Sequence, residues 1–104
     1  MDITKQNRLQ AAGWKVGTAA DFLELTPEES TIVEMRVMLS RHLKERRKGL
    51  MTQAELATKI RSSQPRIAMA ENGDSSVSIE LLIRAMLATG ASAQEIGQII
   101  ASAA

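Results

Sequence analysis

The chain has 104 residues, with 13 Lys or Arg against 12 Asp or Glu and no cysteine. That length suits one domain with a single core, and the cysteine count excludes a disulfide scaffold or a thiolate zinc site. No apolar run approaches the length of a membrane span, and the first twenty residues lack a continuous apolar stretch, so a cytoplasmic protein with no membrane contact is expected.

The formal net charge of +1 hides a strong segregation. Residues 1–35 carry three basic and six acidic groups, a net of −3. Residues 36–66 carry nine basic groups against Glu45 and Glu55, a net of +7, and residues 67–104 return to −3. Positive charge focused on one stretch is the electrostatic footprint of nucleic-acid binding. With one Trp, one Phe and no Tyr, the core falls to aliphatic side chains and methionine, and their helical spacing predicts an all-α fold.

In chain order, residues 1–25 form an N-terminal extension ahead of a domain spanning 26–101. Gln6 to Gly17 holds Leu9, Trp14 and Val16 among polar residues and glycines, and reads as a short strand or an arm. Thr18 with Asp21 can open one helical turn through Leu25. Thr26-Pro27-Glu28-Glu29 is a helix start with an N-cap, Pro at N1 and Glu at N3. The helix it opens runs to about Lys48, with Ile32, Met35, Leu39 and Leu43 as an inner stripe and Val33 and Val37 off it.

Residues 52–73 read as two short helices around a tight turn. Thr52 and Glu55 make a capping box, and Leu56, Ala57 and Ile60 give the inner face. Ser63 caps the second helix, Pro65 sits in its first turn, and Gly73 ends it. Ile67 and Ala70 turn back to the first helix, whose small Ala57 permits a close crossing. Gln64, Arg66 and Met69 are left facing outward, a set able to meet base edges and phosphates. This is a helix-turn-helix signature. Ser78 then caps a fourth helix carrying Ile79, Leu82, Ile83 and Met86, Gly90 ends it, and Ser92 with Glu95 boxes a last helix carrying Ile96, Ile99 and Ile100.

The phrases Thr52-Gln53-Ala54-Glu55-Leu56-Ala57, Ser63-Gln64 and Glu71-Asn72-Gly73 resemble the Cro/repressor-like (XRE) helix-turn-helix family. The resemblance implies a λ-repressor-like, five-helix DNA-binding domain. A looser similarity over residues 22–100 is to single-domain antitoxins of HigA type, carried by Phe22 to Glu29 and by Gly73 to Ser78. Two departures stand out. Arg61 occupies a turn position where the family has glycine at positive φ, a conformation that costs a side chain ~1–2 kcal/mol. The link Lys48-Gly49-Leu50-Met51 is one residue short, which leaves the family's helix-anchoring arginine, the partner of Glu71, at Arg46 or Arg47. Counting four residues on from Leu43 favours Arg47.

These readings converge on a sequence-specific binder of a double-stranded DNA operator that acts as a homodimeric, autoregulatory repressor. Gln53 and backbone N–H groups beside it meet a phosphate, Gln64 reads adenine, and Arg66 reads guanine or a phosphate. Lys59 and Arg61 hold the backbone, and Ser63, Met69 and Asn72 complete the DNA-facing set. The resemblance further implies the antitoxin role, with a RelE/HigB-type toxin as partner. Trp14 and Val16, in the stretch that holds the chain's two aromatics, are candidate contacts for a toxin or for the second subunit. The alternative is a stand-alone phage-type or metabolic repressor with no toxin partner. His42 has no second ligand for a metal, the serines have no histidine, and no phosphate loop appears, so neither an enzyme nor a cofactor is expected.

Overall fold

The five helices of the computed structural model follow one another without a strand among the described residues, 24–103. They are α1 (Pro27–Lys48), α2 (Gln53–Lys59), α3 (Gln64–Glu71), α4 (Ile79–Ala88) and α5 (Ala93–Ala101). The arm or strand expected before Gly17, the turn expected from Thr18, and Trp14, Val16, Phe22 and Leu23 lie outside the described residues. The chain divides into two units between Val33 and Glu34.

Within the first unit, Thr26 opens α1 by a reciprocal pair. The Glu29 N–H donates to Thr26 Oγ1 at 3.1 Å, and the Thr26 N–H donates to Glu29 Oε1 at 2.9 Å. The same device opens α2 through Thr52 and Glu55, and α5 through Ser92 and Glu95. Ser63 and Ser78 cap α3 and α4 with their hydroxyls alone. Each cap satisfies a backbone N–H that the first turn leaves without a partner. The bond from the cap's backbone N–H holds the carboxyls of Glu29, Glu55 and Glu95 below their ordinary value.

The second unit carries the core. Leu39 and Leu43 of α1, Leu56 of α2, Ile67 of α3, and Leu82 and Met86 of α4 are all at or near zero exposure. Ile96 joins them from α5, with Ala57, Ala70 and Ala85 between the larger side chains. Among the described residues the core is aliphatic, with Met86 its one sulfur-bearing side chain. The inner stripe expected on α1 is shorter than its periodicity suggests. Leu39 and Leu43 are buried, but Met35 is only half-buried and Ile32 is 46 % exposed. The loop before α4 brings Val77, 1 % exposed, into the core, where Arg36 donates to its carbonyl oxygen. No described helix is long and apolar enough to cross a membrane.

The contrast along α1 is testable. Leu43→Ala should cost ~2–5 kcal/mol in denaturant unfolding, as a filled site becomes a cavity. Ile32→Ala should change stability by less than ~1 kcal/mol. Equal losses would mean that the helix is buried along its whole length.

Candidate nucleic-acid interface

The N-terminal ends of α2 and α3 come together because Leu56, Ala57, Ile67 and Ala70 are buried against one another's helices. The chain turns between them in four residues. Ile60 ends α2, the Arg61 N–H donates to the Thr58 carbonyl at 3.2 Å, and the Ser62 N–H reaches back to the Ala57 carbonyl at 2.8 Å. This is a Schellman closure, whose penultimate residue must adopt the left-handed conformation. Arg61 does so, at φ 57°. The equivalent positions ending α3 and α4 are Gly73 at φ 74° and Gly90 at φ 93°. Arg61 is therefore a side chain held where the other two closures have glycine. Arg84 donates to the Ile60 carbonyl at 2.9 Å and satisfies the exposed end of α2.

The outer face of this unit holds the sequence-predicted set. Lys59, Arg61, Ser63, Gln64, Arg66 and Asn72 are exposed, as is Met69 at 38 %. Among the described residues the ion pairs are Arg46–Glu95 and Arg47–Glu71, so Lys59, Arg61 and Arg66 carry charge that no acidic side chain neutralises. Ser63 is committed locally, its hydroxyl accepting the Arg66 N–H at 3.3 Å. Asn72 is the C-cap of α3, with its backbone N–H turned to Ala68 and Met69. Beside α2 lies an open groove of about 700 Å³, lined by Arg47, Lys48, Thr52, Gln53 and Gln64.

Beneath that face runs a polar chain. Arg47 Nε lies 2.5 Å from Glu71 Oε2, and Arg47 Nη2 donates to Glu71 Oε1 at 2.9 Å. Arg47 also reaches the Met51 carbonyl at 3.3 Å. Gln53 Nε2 donates to the same Glu71 Oε1 at 3.0 Å, and Gln53 Oε1 accepts from Gln64 Nε2 at 2.5 Å. Arg46 points elsewhere, to Thr89 Oγ1 at 3.1 Å and Glu95 Oε2 at 3.3 Å. The side chain of Gln53, expected to face a phosphate alone, is thus engaged with two protein partners. Sequence reasoning missed this link. Its signal is that Gln53 and Gln64 each open one of two helices whose small contact residue, Ala57, lets them cross closely.

The side chains of Arg47 and Glu71 are 13 % and 1 % exposed. Burial pushes the Glu71 carboxyl up, but hydrogen bonds from Arg47 and Gln53, with the charges of Arg47 and Lys44, hold it below its ordinary value. The Arg47 guanidinium is raised, chiefly by its hydrogen bond to Glu71. A carboxyl whose folded pKa is depressed adds stability that is complete above the ordinary range near ~4.3. That stability is lost as the pH falls through the lowered folded value.

A family model described as helix-turn-helix matches residues 43–96, just over half of the chain. No curated protein and no solved structure matches it.

Three thermal-melt outcomes follow from this geometry. Arg47→Ala and Glu71→Ala should each destabilise by ~3 kcal/mol or more, since each strands a buried charge, while Arg46→Ala should lose visibly less. Glu71→Gln should weaken the dependence of stability on pH below ~4.3 relative to the parent. Arg61→Gly should raise stability by up to ~1 kcal/mol, the left-handed penalty less the added freedom of the unfolded chain. A loss of stability in Arg61→Gly would mean that the guanidinium supports the fold.

Proposed function

The chain belongs to the XRE-type helix-turn-helix family of DNA-binding transcription regulators, and we propose that it is a homodimeric repressor of its own operon that reads its operator through α3. The observation that carries this reading is the exposed Gln64, Arg66 and Met69 on a short helix, flanked by the unneutralised Lys59 and Arg61. In the major groove, Gln64 meets adenine, Arg66 meets guanine or a neighbouring phosphate, and Met69 touches a thymine methyl. Lys59, Arg61, Ser63 and Asn72 take backbone positions, which fix register without reading sequence. Occupancy of an operator that overlaps a promoter excludes polymerase, and a two-fold symmetric dimer favours a palindromic site.

The proposal extends to a toxin partner. It rests on the likeness of Phe22 to Glu29 and Gly73 to Ser78 to HigA-type antitoxins, and on an extension that a minimal DNA-binding domain does not need. Residues 1–25 carry Lys5, Arg8 and Lys15 against Asp2, Asp21 and Glu24, a net of zero, so they bring no attraction to phosphate. Trp14, Val16 and the rest of this stretch suit a protein partner of RelE/HigB type. Co-purification from the native operon followed by mass analysis should return a small basic protein bound to the chain. Recovery of the homodimer alone supports a stand-alone repressor.

Selection from random duplexes should enrich a palindrome. Against that sequence, Gln64→Ala or Arg66→Ala should cost ~1–3 kcal/mol at one base position. Lys59→Ala should weaken all duplexes alike and flatten the slope of affinity against salt. Failure to enrich any palindrome in gel-shift selection sinks the reading.

A further inference from the structure

We propose that Met69 is a redox-sensing modification site: oxidation of its thioether to the sulfoxide by a hydroperoxide-class oxidant draws the Arg66 guanidinium off the operator and releases the DNA. This role rests on the operator reading above and adds to it a chemical input.

The chain has no cysteine, so no thiol within it competes for a two-electron oxidant. Of the methionines among the described residues, Met86 is wholly buried, Met35, Met38 and Met51 are half-buried, and Met69 is 38 % exposed. An oxidant must reach the sulfur, so exposure ranks Met69 first of these. Its backbone is held while its side chain is open. The Met69 carbonyl accepts from the Asp74 N–H at 3.0 Å and from the Asn72 N–H at 3.1 Å, inside the closure that ends α3. The sulfur is thus presented from a fixed point on the face proposed to enter the groove.

With hydrogen peroxide, a lone pair of Met69 Sδ attacks one peroxide oxygen, and the S–O bond forms as the O–O bond breaks. Sulfur gives up two electrons. The departing oxygen gains them, takes the proton of the transferred oxygen and leaves as water. A weak acceptor on sulfur becomes a strong acceptor on oxygen, and an apolar side chain becomes polar. Arg66 lies three residues earlier on α3, a spacing that makes side chains neighbours on one helix face. It is exposed, and among the described residues its guanidinium has neither an acidic partner nor a hydrogen-bond acceptor. The sulfoxide oxygen therefore meets a free guanidinium beside it, and a charge-assisted bond joins the two. In the reduced protein that guanidinium is available to guanine or to a phosphate. Oxidation removes two contacts at once, the apolar one to the thymine methyl and the cationic one a turn away. An exposed methionine with no free cation beside it would lose the first alone.

Parent, Met69→Leu and Arg66→Ala are each treated with graded hydrogen peroxide, and each serves as its own untreated reference. Peptide mass mapping should find the added oxygen on Met69 ahead of Met35, Met38, Met51 and Met86. Fluorescence anisotropy on the selected operator should show the parent losing about 10-fold or more in affinity on oxidation. Met69→Leu, which offers no sulfur at this position, should lose no more than about 2-fold. Arg66→Ala should lose about 3-fold, from the methyl contact alone. Methionine sulfoxide reductase should return the oxidised parent to its starting affinity. An oxygen on any of the other four methionines before Met69 overturns the proposal. So does a Met69→Leu variant that loses as much as the parent, the result expected if peroxide acts on the core at Met86 instead. An equal loss in Arg66→Ala and parent overturns the capture of Arg66. If the untreated parent prefers no duplex, the operator reading fails before any oxidant is added, and the proposal falls with it.

Discussion

The bidentate contact between Arg47 and Glu71 is the constraint on which the rest of the interface depends. Helix α3 spans only Gln64–Glu71, far too short to hold a helical conformation or a fixed direction by itself. Ile67 and Ala70 pin its inner face by burial, but apolar contact is non-directional and tolerates rotation and sliding. The ion pair is directional. It ties the last residue of α3 to α1, and its planar fork admits one arrangement of the two helices. Desolvating both charges is costly, so the pair is better understood as an orienting device than as a net source of stability.

The turn between α2 and α3 shows a second compromise. Three helices of this fold end in the same closure, and two of them place glycine at the left-handed position. The third places Arg61 there, on the exposed face proposed to meet DNA. A local conformational penalty is accepted at the site where charge meets the proposed ligand, which is where local rules are expected to yield to function. The turn still closes because its carbonyls are satisfied from outside: Arg84 of α4 supplies the Ile60 oxygen with a donor.

What the sequence made legible was local. The caps at Thr26, Thr52, Ser63, Ser78 and Ser92 can be read because an oxygen side chain and its N–H target are three residues apart. The five helices followed from those starts, with glycine marking the ends of α3 and α4. The position of the anchoring arginine was ambiguous between Arg46 and Arg47 by alignment. Leu43 removes the ambiguity, since it is wholly buried and a residue four places on shares its face. Burial on α1 was overestimated, because periodicity marks which side of a helix is apolar and not how far the neighbouring helices extend along it. The bonds from Arg36 to Val77, from Arg84 to Ile60 and from Gln64 to Gln53 join residues 41, 24 and 11 apart. No pattern within one helix contains them.

The segregation of charge also changes meaning once the fold is known. Residues 36–66 hold a net of +7 as a segment, yet their basic residues are not all free to face outward. Arg36, Arg46 and Arg47 turn inward, to the Val77 carbonyl, to Thr89 and Glu95, and to Glu71. Arg41, Lys48, Lys59, Arg61 and Arg66 stay exposed and without an acidic partner among the described residues. Glu71 and Glu95 lie outside the segment in sequence but against it in space, so they take two charges from it. The charge left to meet a duplex is smaller than a count along the chain implies, and three of its cations, Lys59, Arg61 and Arg66, stand at the end of α2, in the turn and on α3. That grouping of cations around one helix is the useful property. A diffuse positive surface binds any duplex in many registers, whereas a few cations around a fixed helix favour the register in which that helix meets the groove.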